Sequence, residues 1–379
     1  MAVYDPLSEE FRSDRAGVYR RMRDEFPTFV HPDGRYAALS RFDDVRMAAV
    51  DWQTFSAVTA ESKILRPIIA DMDPPLHTDR RGNLGRVFTP RRVADMEPHL
   101  RDLARSLIDG FAERGSCDIV KEFAALFPSM VMGELLGLPA DQLAHCREIT
   151  DDIMRIDSPE GNASPVERAD AVFGPLIAER RSEPGPDLIS ALLRVGENGG
   201  EALSEEEVLG FCFLLLVGGN DTTTNLLGNG MDLLARYPDQ RAELVADPSL
   251  IPNAVEEMLR RETPTQNTAR QTTRDVDLHG VTIPADTRVL LMWGAANLDE
   301  REFPHPERFD IHRRPERQLA FGHGAHFCMG AALARLEARV AFEELLACMP
   351  EFEVVERSER IRSVWAWGFD SLRLEFAAR

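Results

Sequence analysis

The stretch SEEEVLGFCFLLLVGGNDTTTNLLGNGMDLLARYP, from Ser204 to Pro238, constrains the fold more than any other part of the sequence. Ser204 followed three positions later by Glu207 reads as a capping box, and Pro238 marks a stop. The roughly 33 residues between them form a helix of about 50 Å at about 1.5 Å per residue, enough to cross a whole domain. Its middle, GFCFLLLVGG, is apolar on every side, so the helix is expected inside the molecule. The next residues break that pattern: Gly218 and Gly219 disfavour helix, and Asp221 and Thr222 compete for backbone hydrogen bonds. Two glycines alone would suit a close helix crossing. The acid and hydroxyls beside them point instead to a kinked or widened helix that holds a small molecule, or oxygen and water.

The remainder of the chain predicts a mainly α fold with small β-sheets. THR28 to Val45 reads as two short strands around a Pro-Asp-Gly turn leading into a helix at 40–45, and a second ribbon spans 276–293 with turns at Gly280 and 284–286. Helical periodicity dominates elsewhere, as in 98–115 and 331–349. There is no internal repeat and no long linker, so all 379 residues are expected in one domain. The formal charge of −20 repels phosphate backbones and argues against nucleic acid as a partner. Five scattered cysteines, never in CxxC spacing, argue for a reducing compartment and against a zinc site or a disulfide framework. With neither a leader nor a membrane span in view, the expectation is a cytoplasmic protein.

Cys328 carries the chemistry. It lies in FGHGAHFCMG (321–330), just ahead of a strongly helical run, where the positive end of the helix and free N–H groups stabilise a thiolate. Gly322, Gly324 and Gly330 let the backbone approach something bulky and planar, and His326 can reach an anionic group on it. A lone cysteine is usually a small buried hydrophobe, which is the reading for Cys212 and Cys348. The neighbours of Cys328 reverse it. Glu257 and Arg260 in EEMLRR share a helix face, and taken alone they form an ordinary solvated pair.

Together FxxGxHxCxG, GGxDTT at 218–223 and ExxR at 257–260, in this order, resemble the bacterial cytochrome P450 superfamily of haem-thiolate monooxygenases, from about residue 35 to the C-terminus. The resemblance implies a single cytochrome P450 domain over 1–379, with haem b between the long central helix and the cysteine-loop helix. Cys328 would be the metal ligand, the role this family gives its cysteine. Phe321 would pack near the thiolate. His77, Arg81, Arg270 and His326 would hold the haem propionates, and Glu257 with Arg260 would brace the segment before the cysteine loop. Asp221 and Thr222 would be the catalytic acid and alcohol that deliver protons to bound dioxygen. The implied reaction is hydroxylation or epoxidation of a mid-sized, largely apolar natural product or lipid. Its electrons would come from a separate ferredoxin and an NAD(P)H-dependent ferredoxin reductase, docked near Arg81 and Arg335 on a monomer. Peroxide-driven, coupling or isomerase chemistry on the same fold is the alternative, as is a non-catalytic haem carrier. By family position the substrate pocket would be lined from 64–69, Leu214, Val217, 266–268 and 365–367. Three departures stand out: Leu298-Asp299 puts local salt bridging in doubt, 151–178 is short for a roof of two helices, and Asn220 introduces an amide at the helix break.

Overall fold

The structure, a computed structural model, describes residues 4–59, 68–85, 89–154, 164–195 and 202–378. Seven of its helices position the site: α1 Leu76–Gly85, α2 Glu97–Ala112, α3 Leu143–Met154, α4 Pro165–Ser182, α5 Glu205–Arg236, α6 Ile251–Arg261 and α7 Ala331–Cys348. The long element starts as the sequence requires. Ser204 Oγ accepts from the Glu207 N–H at 3.2 Å, and the Glu207 carboxylate accepts from the Ser204 N–H at 2.9 Å. The helix runs for 32 residues and stops at Tyr237, ahead of Pro238. α5 is helical without interruption through 218–223. There the Thr222 hydroxyl donates to the Gly218 carbonyl at 2.8 Å, a back-bond of the kind that often bends a helix.

Around α5 pack α3, α4, α6 and α7, together with the helix Leu126–Leu136. Small residues mark the closest crossings. A Cβ on Gly230 would stand 2.4 Å from Phe342 of α7 and 2.9 Å from Met258 of α6, while one on Gly219 would meet Met132 at 2.6 Å. The α2–α7 seam is polar at its rim, where Glu97 joins Arg101 and Arg339, and Glu344 joins Arg101 and Arg105. Helices α3 and α4 occupy the segment expected to form the roof. Both extend beyond 151–178, which is why that span alone looked short, and residues 155–163 between them lie outside the described residues.

The described residues also include ten short strands: β1 Thr28–Val30, β2 Ala37–Leu39, β3 Phe55–Ser56, β4 Ser116–Asp118, β5 Thr268–Thr272, β6 Val276–Leu278, β7 Val281–Ile283, β8 Arg288–Leu291, β9 Phe352–Arg357 and β10 Leu372–Phe376. The main sheet runs β1-β2-β8-β5-β3, with β2 parallel to β8 and Ala38 opposite Leu290. The last strand of the second predicted ribbon, β8, thus pairs with the first ribbon, while its β6–β7 hairpin stays outside that sheet. The Pro-Asp-Gly turn closes at Gly34, whose φ of 69° is the left-handed region that favours glycine. A second sheet runs β4-β10-β9, and β6 pairs with β7.

The ExxR pair is a core brace, as the family resemblance implies, and not the solvated pair that its spacing alone suggests. Glu257 and Arg260 are both 0% exposed, and Arg260 reaches the Glu257 carboxylate through Nε (2.7 Å) and Nη2 (2.8 Å). Arg260 also donates to the Asn297 carbonyl, and Glu257 accepts from the Asp310 N–H and from Arg313. The irregular chain ahead of the cysteine loop is therefore stitched to α6. Salt bridging persists around Leu298-Asp299: the buried Asp299 carboxylate receives the Phe42 N–H at 2.9 Å and Arg301 at 3.1 Å. Cys212 and Cys348 are buried, as expected, and all five cysteines are free. Among the described residues no helix is long and apolar enough to cross a membrane.

Candidate active site

The cysteine loop folds because its glycines allow it. Gly322 and Gly324 have φ of 71° and 73°, and a Cβ on Gly324 would stand 2.8 Å from the Ala49 carbonyl oxygen. The Cys328 N–H donates to the Phe321 carbonyl at 2.8 Å and closes the loop directly ahead of α7. Cys328 is surrounded by protein, which pushes its thiol pKa up, yet its own side chain stays accessible. Opposing that rise, in order, are the Gly330 N–H, Arg81, Arg335 and the Ala331 N–H. Two of these are helix-start amides, the donors the sequence placed there.

Four further side chains converge beside the loop. From α1, Arg81 Nη2 donates to the Phe327 carbonyl at 2.5 Å, one residue before the cysteine. His77, 2% exposed, meets His326 with ring centroids 4.2 Å apart. His77 Nδ1 and His326 Nε2 are buried without a hydrogen-bond partner. Burial, then Arg270, His77 and Arg81, push the His326 pKa down to about 3, and burial with Arg81 lowers that of His77. Arg270, on β5, is itself buried, and Asp73 and Asp71 offset part of that cost. Two unsatisfied imidazole nitrogens and two guanidiniums that repel further positive charge call for an anionic group. With an accessible thiol alongside, these residues fit a haem and its carboxylates.

Across from the loop, α5 presents Leu214, Gly218 and Thr222 at four-residue spacing on one face. Gly218 is exposed within a mostly buried helix, and a Cβ there would meet nothing within 4 Å. Asp221 faces elsewhere: it lines an internal cavity with Asn220, Arg147 and Asp370.

Several expected positions move. Gln266 is turned away from any pocket, accepting from Tyr19 Oη at 2.6 Å and donating to the Thr263 carbonyl. Trp367 is buried, donates to Glu262 at 2.8 Å and lies under Arg15 and Arg360. Ile69 belongs to the core, and 64–67 lie outside the described residues. Leu214 and Val217 are half-buried, and Trp365 is exposed. Arg335, expected near the docking face, bonds Glu256 at 2.5 Å and stacks 4.4 Å over the ring of Phe321. Sequence reasoning passed over Glu337 of α7, a fully buried carboxyl bonded to Thr223, whose pKa burial raises to about 8. An acid inside an apolar helical run was its only signal.

The cytochrome P450 family profile matches residues 247–361. Cytochrome P450 130 of Mycobacterium tuberculosis is 41% identical over 93% of this chain and 91% of its own length. Vitamin D(3) 25-hydroxylase of Pseudonocardia autotrophica is 39% identical over 92% of this chain and 89% of its own. Among solved structures, cytochrome P450 CYP109Q5 from Chondromyces apiculatus superposes with a TM-score of 0.91 at 36% identity, covering 99% of each chain. CYP109E1 from Bacillus megaterium, in complex with testosterone, gives 0.90 at 29% identity over 97% of this chain and 99% of that one. The chain belongs to the cytochrome P450 family. It is a P450 monooxygenase, of a family whose cofactor is haem.

Proposed function

We propose that this single domain binds haem b through Cys328 and oxygenates a mid-sized, largely apolar natural product or lipid. The observation that carries the reading is the accessible Cys328 thiol at the start of α7 with Arg81 beside it, and His77, His326 and Arg270 clustered next to Arg81. Haem bound there supplies activation of dioxygen for insertion of one oxygen atom into the substrate. The protein's own residues do the rest. The Gly330 and Ala331 N–H groups and Arg81 hold charge on the sulphur. His77, His326, Arg81 and Arg270 orient the carboxylates, and Phe321 covers the cysteine side, itself held by Arg335. Thr222 presents its hydroxyl on the exposed Gly218 face, and Asp221 passes it protons.

Leu214, Val217 and Trp365 give a substrate contact surface dominated by carbon, which suits sterol-like or lipid-like molecules. The relatives named for vitamin D3 hydroxylation and solved with testosterone support that size class. Electrons would arrive from a separate ferredoxin and its NAD(P)H-dependent reductase on the cysteine side. The test is a spin-state screen of the haem-loaded protein with vitamin D3, testosterone and long-chain fatty acids, followed by turnover with a surrogate ferredoxin and reductase. The expected result is a spin shift and a product carrying one added oxygen atom from dioxygen. Tight binding with no dioxygen-dependent product would contradict it.

A further inference from the structure

A buried surplus of positive charge lies outside the site described above, where the N-terminal helix Arg15–Glu25 meets the ends of α5 and α6 and the chain after β9. Its centre is Glu262, directly after α6 and 4% exposed. Arg15 and Arg261 each donate to its carboxylate at 2.9 Å, and Trp367 Nε1 does so at 2.8 Å. Arg236 and Arg360 stand further off, at 3.6 and 3.7 Å. Those two face the carboxylate without a hydrogen bond to it. The other acid is Asp232, shared by Arg236 at 3.0 Å and Arg357 at 2.7 Å. Five guanidiniums thus share two carboxylates, in a chain whose net charge is −20.

Arg15 shows most clearly that an anion fits here. It is 6% exposed, and its Nη2 bonds Glu262 and the Arg261 carbonyl, but its Nη1 is buried without a hydrogen-bond partner. The ring of Trp367 lies 4.4 Å from the Arg15 guanidinium and 4.5 Å from that of Arg360; it attracts both cations but neutralises neither. Arg236 and Arg261 close their helices and gain from the negative helix ends. Arg15 opens its helix, the end that disfavours a cation, and Arg360 belongs to no helix. Burial, with repulsion from Arg15 and Arg236, brings the Arg360 pKa down to about 10 against the pull of Glu262 and Asp232. Side-chain exposure rises from 5% at Arg15 and 13% at Arg360 to 36% at Arg236 and 43% at Arg357, so the group opens to solvent on one side.

We infer that Arg15, Arg236 and Arg360 bind a phosphate group, whose oxygens take the open Arg15 Nη1 and the loosely held forks of Arg236 and Arg360. Guanidinium forks match phosphate oxygens two at a time, and charge-assisted bonds of this kind are the strong ones. The anion ties the N-terminal helix to the end of α5 and to the chain leading into Trp365, part of the substrate surface proposed above. It binds the folded chain and so stabilises it.

Thermal unfolding of the haem-loaded protein tests this, with inorganic phosphate, adenosine monophosphate and chloride compared at one pH and one ionic strength. Phosphate should raise the wild-type midpoint by a few degrees along a saturating curve, and chloride should leave it unmoved. Arg15→Gln and Arg236→Gln should lose the rise, while Arg105→Gln, at the rim of the α2–α7 seam, should keep it. Should the buried Arg15→Gln fail to fold, Arg236→Gln decides, since its side chain is already partly exposed. Saturation by adenosine monophosphate at much lower concentration than phosphate identifies a phosphate ester as the ligand, and saturation at equal or higher concentration identifies free phosphate; either result supports the site. A midpoint that climbs without saturating, or a rise that Arg236→Gln keeps in full, is a general salt effect and overturns the inference.

Discussion

At the scale of single residues, burial decides which charges matter. Glu257 and Arg260 neutralise each other at 0% exposure, so Glu257→Gln leaves a guanidinium uncompensated in the core. The expected loss is about 3–5 kcal/mol, read by denaturant unfolding, and a loss below 1 kcal/mol would contradict the brace. Glu337 shows the opposite case. Its carboxyl holds its proton up to about pH 8 in the folded chain, against an ordinary value of 4.5. Between those values the folded state binds more protons than the unfolded one, so this group's contribution to stability falls as pH rises, and levels off above about 8. Glu337→Gln should therefore gain on wild type in thermal midpoint from pH 5 to pH 8 by a few degrees. A difference independent of pH would mean that Glu337 is ionised in the fold.

At the scale of elements, two glycines of α5 should behave oppositely. Gly230→Ala forces a methyl against Phe342 and Met258, and overpacking of that kind costs about 1–3 kcal/mol. Gly218→Ala meets open space, and replacing glycine within a helix gains roughly 0.5–1 kcal/mol. Equal effects in unfolding experiments would contradict the packing described for α5. The helix itself was legible in its caps and its apolar middle, and so were both ribbons, because those signals are local. The partner of the Thr222 hydroxyl was not legible, since whether a hydroxyl breaks a helix or bonds back along it depends on packing that no local pattern records. The burial of ExxR was hidden for a related reason: its partners at 297–313 are distant in sequence.

At the scale of the whole molecule, motif order made the family legible, while the side-chain directions of Gln266, Trp367 and Arg335 were not. Each of the three is claimed by a partner far along the chain: Tyr19, Glu262 and Glu256. Arg335 changes most in consequence. In a chain of net charge −20 its guanidinium is paired to Glu256 and stacked on Phe321, so it supports the cysteine loop more than it steers an acidic partner. Arg335→Ala should shift the thiolate Soret band while changing the ionic-strength dependence of ferredoxin reduction little. A steep loss of salt dependence with an unmoved Soret band would restore it as a docking cation.

The central claim is that Cys328 ligates the haem iron as thiolate, and the spectrum of the reduced protein under carbon monoxide tests it most directly. Wild type, Cys212→Ser and Cys348→Ser should show the strongly red-shifted Soret band of thiolate ligation, and Cys328→Ser should lose it. A Cys328→Ser protein that keeps the band, while Cys212→Ser or Cys348→Ser loses it, would contradict the account.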